Sequence, residues 1–298
     1  AKKIGIEPKN IFMMENGRRL ELNDIDCILT LLNDELVKYE QSIAKAELTK
    51  EKNYRLVYEE KNRIVGFAVV TIDGELYIYV KEKRRNQGIG EQLLCQIAEY
   101  CERQQMDTIR AEVRTEKFDT TEFFLNRGFS RWFGYQEMKY VGHSMEATVE
   151  LSNYQPKQYE KYKQVYEECF YDMRRALDLK PYSCCSKPHL LEEDKGSIYM
   201  LWEKEELIGS VTLHEKSVNH VEIDDLIVNK KFQRNGYGRR LLHSTIAKLQ
   251  QEYRNREVTI TLGVALWNSY AIALYEECGF VCEKRCEVIR KKCEKGSC

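Results

Sequence analysis

The chain has 298 residues, with 47 Lys and Arg against 48 Asp and Glu, a formal net charge of -1 and a hydrophobic share of 43%. That length accommodates one large domain or two of ordinary size, each able to bury an adequate core. The balanced charge gives no electrostatic reason to expect nucleic acid or an anionic membrane as partner, and no apolar run approaches the length that spans a bilayer. Ala1 to Asn10 is charged and lacks the apolar stretch of a signal peptide, so a cytoplasmic location is expected. The 11 cysteines are scattered, with no Cys-x-x-Cys spacing, so reduced thiols and no metal site are expected.

In chain order, Asp24–Lys38 reads as a helix capped by Asn23 or Asp24. Tyr54–Glu59, Ile64–Ile72 and Leu76–Val80 read as strands, Gly88–Arg103 as a helix and Thr108–Val113 as a strand. Thr120–Asn126 follows as a helix and Tyr135–Val141 as a strand. The order then repeats. Met145–Leu151 alternates like a strand, Pro156 to Lys180 reads as a helix, and Ser197–Glu203 with Leu207–His214 reads as a hairpin. Val221–Val228 is the next strand. Gly236–Gln251 carries Leu241, Leu242, Ile246 and Leu249 at helical spacing. Val258–Val264 reads as a strand, Asn268–Glu277 as a short helix, and the chain from Phe280 returns to strands.

The repetition extends to residues. Glu75–Leu94 and Ile223–Leu242 both run strand, charged turn, Gly-x-Gly and a helix carrying Leu-Leu, and Gly128-Phe129 recurs as Gly279-Phe280 at nearly the same offset. A whole domain is duplicated. The expected halves are 1–143 and 144–298, joined with no low-complexity linker.

The central chemical signal is Gln233-Arg234-Asn235-Gly236-Tyr237-Gly238 between a strand and a helix. Glycine allows a tight turn and close backbone approach, and the first N–H groups of a helix point outward at an anion. No Gly-Lys-Ser/Thr follows, as a Walker loop needs, and the third glycine of the dinucleotide fingerprint is missing.

This run resembles the acetyl-CoA motif of the GNAT acetyltransferase superfamily, as does Arg85-Asn86-Gln87-Gly88-Ile89-Gly90. Val264 to Phe280 is similar to the family's later motif, in which a strand, an asparagine (Asn268) and a helix with Leu-Tyr (Leu274-Tyr275) lead to Gly-Phe. The resemblance covers most of both halves. It implies an α/β fold of the α+β kind: two tandem GNAT-like domains, each a mixed, mostly antiparallel sheet flanked by helices. In arrangement it resembles two-domain members such as mycothiol synthase.

The resemblance also implies a cofactor, acetyl-CoA, and positions. Leu226, Ile227 and Val228 would pair through their backbone with pantetheine, and Ile78, Tyr79 and Val80 match them in the first half. Arg234 to Arg239 would hold the pyrophosphate by main-chain N–H groups, with Gln233 opening the cofactor-binding run and Arg234, Arg239 or Arg240 adding charge. Asn268 matches a CoA-contacting asparagine and also suits a helix cap. Tyr275 matches the tyrosine that protonates the departing sulfur. Glu222 stands where family members place a base that acts directly or through water. Strand alternation puts Asp224 on the same face and Asp225 opposite.

The chemistry fits those residue types. An amine with a pKa of about 10 must lose a proton before attack, and a leaving thiolate benefits from a donor. The first half departs from the pattern: Phe124 aligns with Tyr275, Lys117 with Asn268, and Gly74 with Glu222, although Glu75 or Asp73 could still supply a carboxylate. A CoA-binding half without turnover is expected there. His189, His214 and His220 are expected to be exposed. The expected activity is acetyl transfer to a primary amine of a small molecule. A protein N-terminus or lysine as acceptor, and a CoA sensor without turnover, remain open alternatives, as does the oligomeric state.

Overall fold

A computed structural model describes residues 16–32, 45, 47–115, 119–180, 182 and 196–293. The chain divides into two compact units. One takes in the described residues up to Glu112, with Glu122–Ser130 and those from Ile289 on. The other takes in Val113–Thr121 and Arg131–Val288. His189 and Lys117 lie outside the described residues, as do the last residues of the helix expected up to Lys38.

In the first unit, β1 (Gly17–Arg19), β2 (Tyr54–Glu60), β3 (Arg63–Val70), β4 (Glu75–Val80) and β5 (Thr108–Arg114), whose last two residues fall to the other unit, lie side by side in that order. The first four pair antiparallel and β4 pairs parallel with β5. The helices are α1 (Ile25–Leu32), α2 (Ile89–Arg103) and α3 (Thr121–Leu125). The cap of the first helical turn differs from expectation. Glu21 takes it, because the Asp24 carboxylate is held by the Arg18 guanidinium at 2.7 Å while also accepting from Glu21 N. α2 buries Ile89, Leu93, Leu94, Ile97 and Cys101 at helical spacing against β2–β4. Each such aliphatic side chain contributes about 1.5–3 kcal/mol on burial.

The second unit contains β6 (Ser130–Tyr140), β7 (Ser152–Asn153), α4 (Tyr159–Ala176), β8 (Gly196–Glu203), β9 (Glu206–Ser217) and β10 (His220–Val228). These are followed by α5 (Tyr237–Glu252), β11 (Thr259–Ala265), α6 (Ser269–Glu277) and β12 (Phe280–Lys292), whose last residues, from Ile289, belong to the first unit. The strand order is β6-β11-β10-β9-β8-β7, parallel only at β10–β11. One sheet face packs Val211, Leu213, Val221, Ile223, Ile260 and Leu262 against Leu241, Leu242, Ile246 and Leu249 of α5. The other face buries Ile198, Met200, Leu207 and Ile227 under Tyr162, Val165 and Tyr166 of α4.

Met145–Leu151 is not a strand. Its alternation is real, since Met145, Val149 and Leu151 pack on the α5 core. Its amides, however, bond to side chains of α5: Met145 N donates to Gln250 Oε1 at 2.8 Å, and Thr148 N and Val149 N both donate to Ser244 Oγ at 2.9 Å. No helix among the described residues is long and apolar enough to cross a membrane.

Candidate active site

Each glycine loop is shaped by two residues in the left-handed region ahead of a helix. In the second unit these are Arg234 (φ 66°) and Gly236 (φ 77°), and in the first Asn86 (φ 60°) and Gly88 (φ 81°). Gly236 and Gly88 cap α5 and α2. The first helical bonds run from Arg240 N to Gly236 O and from Gln92 N to Gly88 O. The amides of Tyr237, Gly238 and Arg239, and of Ile89, Gly90 and Glu91, therefore precede the ladder and sit at the positive end of a helix dipole. A hook steadies each loop. Gln233 Nε2 donates to Val228 O at 2.9 Å, and Arg85 Nε donates to Val80 O at the same distance. Asn235 Nδ2 donates to the carbonyls of Phe232 and Gln233, and Gln87 Nε2 to that of Lys83. Around Gly236 an added Cβ meets nothing within 4 Å.

The arginines of the second loop are engaged locally. Arg239 is ion-paired with Glu277, Arg234 lies 4.1 Å over the Tyr270 ring, and Arg240 lies 5.3 Å from that of Tyr237. The Tyr237 hydroxyl donates to Glu203 Oε1 at 2.6 Å.

Beside this loop β10 and β11 part. Their parallel pairing runs from His220–Thr259 to Ile223–Leu262 and ends there, although β11 stays paired with β6 as far as Ala265. The register of β10 on β9 slips by one residue between Asp224 and Ile227, and Asp225 takes φ 43°. This is a β-bulge, which bends the strand and increases its twist. The expected alternation fails at this point. Asp225 does not face away from α4; its Oδ1 accepts from Tyr166 Oη of α4 at 3.2 Å. A single extra residue in a strand is invisible to a period-2 reading. Ile227 directs its carbonyl at β9, where an added Cβ on Gly209 would collide with it. Leu226 and Val228 therefore turn backbone groups to the open side. Gly263, on the β11 edge of the gap, has nothing within 4 Å of an added Cβ.

Upstream of the bulge, β10 presents a row of polar side chains on the face away from α5. Glu222 stands between His214 of β9 and Thr261 of β11, and Asp224 stands opposite Thr212. Glu222 Oε2 is 2.7 Å from Lys216 Nζ, and Asp224 Oδ2 is 3.7 Å from His214 Nε2. His220 Nε2 lies 2.7 Å from Thr261 Oγ1, and burial holds its pKa below the usual value, which favours the neutral ring. His214 and His220 are half-buried, against the exposure expected for a turn, because they belong to the strands themselves.

Tyr275 is buried on α6, its ring 6.1 Å from that of Phe280. Burial, then the Asp224 carboxylate and Cys278, push its phenol pKa up to about 12. Its hydroxyl has no hydrogen-bond partner among the described residues. Asn268 caps α6, accepting from Ala271 N at 3.3 Å, and its side chain is exposed. Tyr275, Asp224, Glu222 and the loop thus surround the parting of β10 and β11. His214 is the neighbour that sequence reasoning set aside as exposed, although it is evenly spaced with Thr212 and Lys216 along one strand.

The first unit repeats this frame with differences. The β4–β5 pairing ends at Leu76–Ala111, as β10–β11 ends at Ile223–Leu262. Leu76 therefore matches Ile223, and Glu75, not Gly74, matches Glu222. The one-residue error of an alignment on Gly88 is the bulge, which β4 lacks, since its ladder on β3 is unbroken from Gly66–Val80 to Val70–Leu76. Phe124 is the counterpart of Tyr275, 5.1 Å from Phe129. Ile78, Tyr79 and Val80 follow the last rung.

Among the described residues, no group of three or more His, Cys, Asp or Glu side chains could hold a metal ion, and no cysteine is in a disulfide.

Residues 25–129 and 158–280 match the acetyltransferase (GNAT) family. The chain belongs to that family of acyltransferase enzymes. It is 29% identical over 87 residues to the uncharacterized N-acetyltransferase YvbK of Bacillus subtilis (strain 168), covering 29% of this chain and 54% of the relative. The chain thus aligns with about half the length of that curated relative. Its fold is similar to a GCN5-related N-acetyltransferase from Sphaerobacter thermophilus, with a TM-score of 0.72, 14% identity, and 93% of this chain and 95% of that one covered. It is also similar to a tandem GNAT protein from the clavulanic acid biosynthesis pathway, with a TM-score of 0.63, 14% identity and coverage of 94% and 99%.

Proposed function

We propose that the second unit transfers an acetyl group from acetyl-CoA to a primary amine of a small molecule, in a cytoplasmic setting. The observation that carries this reading is the gap between β10 and β11, bordered by an anion-binding helix start, a buried tyrosine and a row of carboxylates. The residues present fit the cofactor. Gly236 leaves open space over three helix amides for a pyrophosphate, with Gln233, Arg234, Asn235, Tyr237, Gly238 and Arg239 forming the turn. Leu226 and the N–H of Val228, whose carbonyl is held by Gln233, offer backbone groups to an extended pantetheine arm in the manner of an added strand, with Ile227 holding the edge to β9. Asn268 borders the far side.

Bound there, acetyl-CoA would supply an activated acyl thioester. Glu222 takes the proton of the acceptor ammonium, directly or through water, with Asp224 beside it. Tyr275 stays protonated at neutral pH and donates its hydroxyl proton toward the departing sulfur. In the first unit, Ile78, Tyr79, Val80 and the loop Arg85, Asn86, Gln87, Gly88, Ile89 and Gly90 support CoA binding. Phe124 and the unbroken β4 ladder support the absence of turnover there.

The test is a panel of primary amines, with lysine-bearing and free-N-terminus peptides as a second arm, incubated with acetyl-CoA and read by thiol release. A small amine should raise the rate well above hydrolysis. Acceleration by the peptides alone would move the acceptor to protein, and no acceleration by either arm would leave a CoA-binding protein.

A further inference from the structure

Acetyl transfer to an ammonium forms one N–C bond, breaks one C–S bond and removes two protons from nitrogen. One proton goes to the sulfur by way of Tyr275. The other has to leave the site for solvent in every turnover. On the reading that Glu222 receives that proton, the carboxylate is poorly placed to release it, being 26% exposed and held at 2.7 Å by Lys216.

His214 stands directly across from Glu222 on β9, where paired side chains have their Cβ atoms about 4.5–5.5 Å apart. Its Nε2 lies 3.7 Å from Asp224 Oδ2, and the Asp224 side chain is 57% exposed. An imidazole can accept a proton on one nitrogen and release it from the other. Lys216 of β9 and His220, Glu222 and Asp224 of β10 share the sheet face of this ring. From β8 the residue opposite is Gly196, which brings no charge. His220 does not fill the same role, because its Nε2 is engaged with Thr261.

We infer that His214 is a proton-relay residue that takes the surplus proton from Glu222, directly or through one water, and passes it to Asp224 and solvent. The sequence of transfers is balanced: Glu222 returns to its anionic form, His214 to neutral imidazole, and one proton appears in bulk water for each amide formed. This rests on the reading of Glu222 as proton acceptor and adds its route of discharge.

The test uses the full chain, acetyl-CoA and the fastest small amine of the panel above. His214→Gln should lower kcat by about tenfold or more, most at low buffer concentration, while acetyl-CoA affinity by calorimetry stays within about twofold. In His214→Ala, added imidazole should restore the rate in a saturable way. In the parent protein, the His214 ring resonances should move on Asp224→Asn. Retention of full kcat in His214→Gln, a loss that imidazole does not recover in His214→Ala, or a parallel loss of acetyl-CoA affinity each overturns the relay. Full activity in Glu222→Gln instead overturns the underlying reading. An inactive Glu222→Gln beside a normal His214→Gln overturns the relay alone.

Discussion

Glu75 holds in the first unit the position that Glu222 holds in the second, each one residue before the last parallel rung, Leu76–Ala111 and Ile223–Leu262. The position of this carboxylate is therefore shared, and the units differ after it. The second continues into a bulge at Asp225 and is served by Tyr275, whereas the first continues in an even ladder and is served by Phe124. Removing the second unit's chemistry with Glu222→Gln and Tyr275→Phe should leave only background thiol release. Adding Phe124→Tyr should not restore it, because the strand at Tyr77 keeps its backbone groups paired with β3. The new hydroxyl would also cost about 1–3 kcal/mol if buried without a partner. Recovery of turnover in the triple variant would show that tyrosine alone separates the units.

Tyr275→Phe should reduce kcat by about a hundredfold where chemistry limits the rate, with acetyl-CoA binding retained. The same substitution has a pH signature. A phenol pKa raised to about 12 in the fold against about 10 in the unfolded chain gives stability that is complete below pH 10 and lost between pH 10 and 12. At about 1.4 kcal/mol per unit, the loss attributable to this group is about 2–3 kcal/mol. The denaturation midpoint of the second unit, read by the fluorescence of Trp132, Trp202 and Trp267 within it, should therefore fall less steeply from pH 9 to 12 for Tyr275→Phe than for the parent, and parallel curves would remove the buried phenol as the cause.

The glycine loops predict a stoichiometry near two acetyl-CoA per chain. Gly236→Glu and Gly88→Glu place a carboxylate at an anion site and force a side chain into the left-handed region, a strain of about 1–2 kcal/mol. Each should remove one site in calorimetry and leave the other. A parent stoichiometry of one, abolished by Gly236→Glu, would take the first unit out of cofactor binding.

Much of this was legible in the sequence for physical reasons. Period 3.6 in Leu241, Leu242, Ile246 and Leu249 and the glycines ahead of that helix report local geometry, and local geometry is what sequence spacing encodes. Asn268 as a cap and Phe124 as the counterpart of Tyr275 followed in the same way. Three features were hidden. The bulge at Asp225 adds one residue to a strand without changing its composition, so it misplaced Glu75 by one and Asp225 by a face. The amides of Met145–Val149 find side-chain acceptors a hundred residues away, so an alternating apolar pattern does not end in a strand. The closeness of His214 to Asp224 depends on cross-strand register, which no single strand announces.

The last prediction concerns the chain from Ile289. These residues belong to the first unit, although they follow the second copy of the motif in sequence. Ile289 is fully buried there; Cys293 N donates to Asp107 O at 3.0 Å, Lys291 Nζ to Arg127 O at 3.1 Å, and Ser130 Oγ to Arg290 O at 3.4 Å. Ile289→Ala should cost about 2–5 kcal/mol, the usual range for truncating a buried isoleucine. With two units a single unfolding free energy is not defined, so the readout is amide exchange. Exchange should quicken in α2, at Leu93, Leu94 and Ile97, while Leu241, Leu242 and Ile246 of α5 keep their protection. A fragment ending at residue 143 lacks Ile289 altogether and should show the same quickening in α2, more strongly. If Ile289→Ala leaves α2 exchange unchanged, or quickens α5 instead, the terminal residues do not support the first unit.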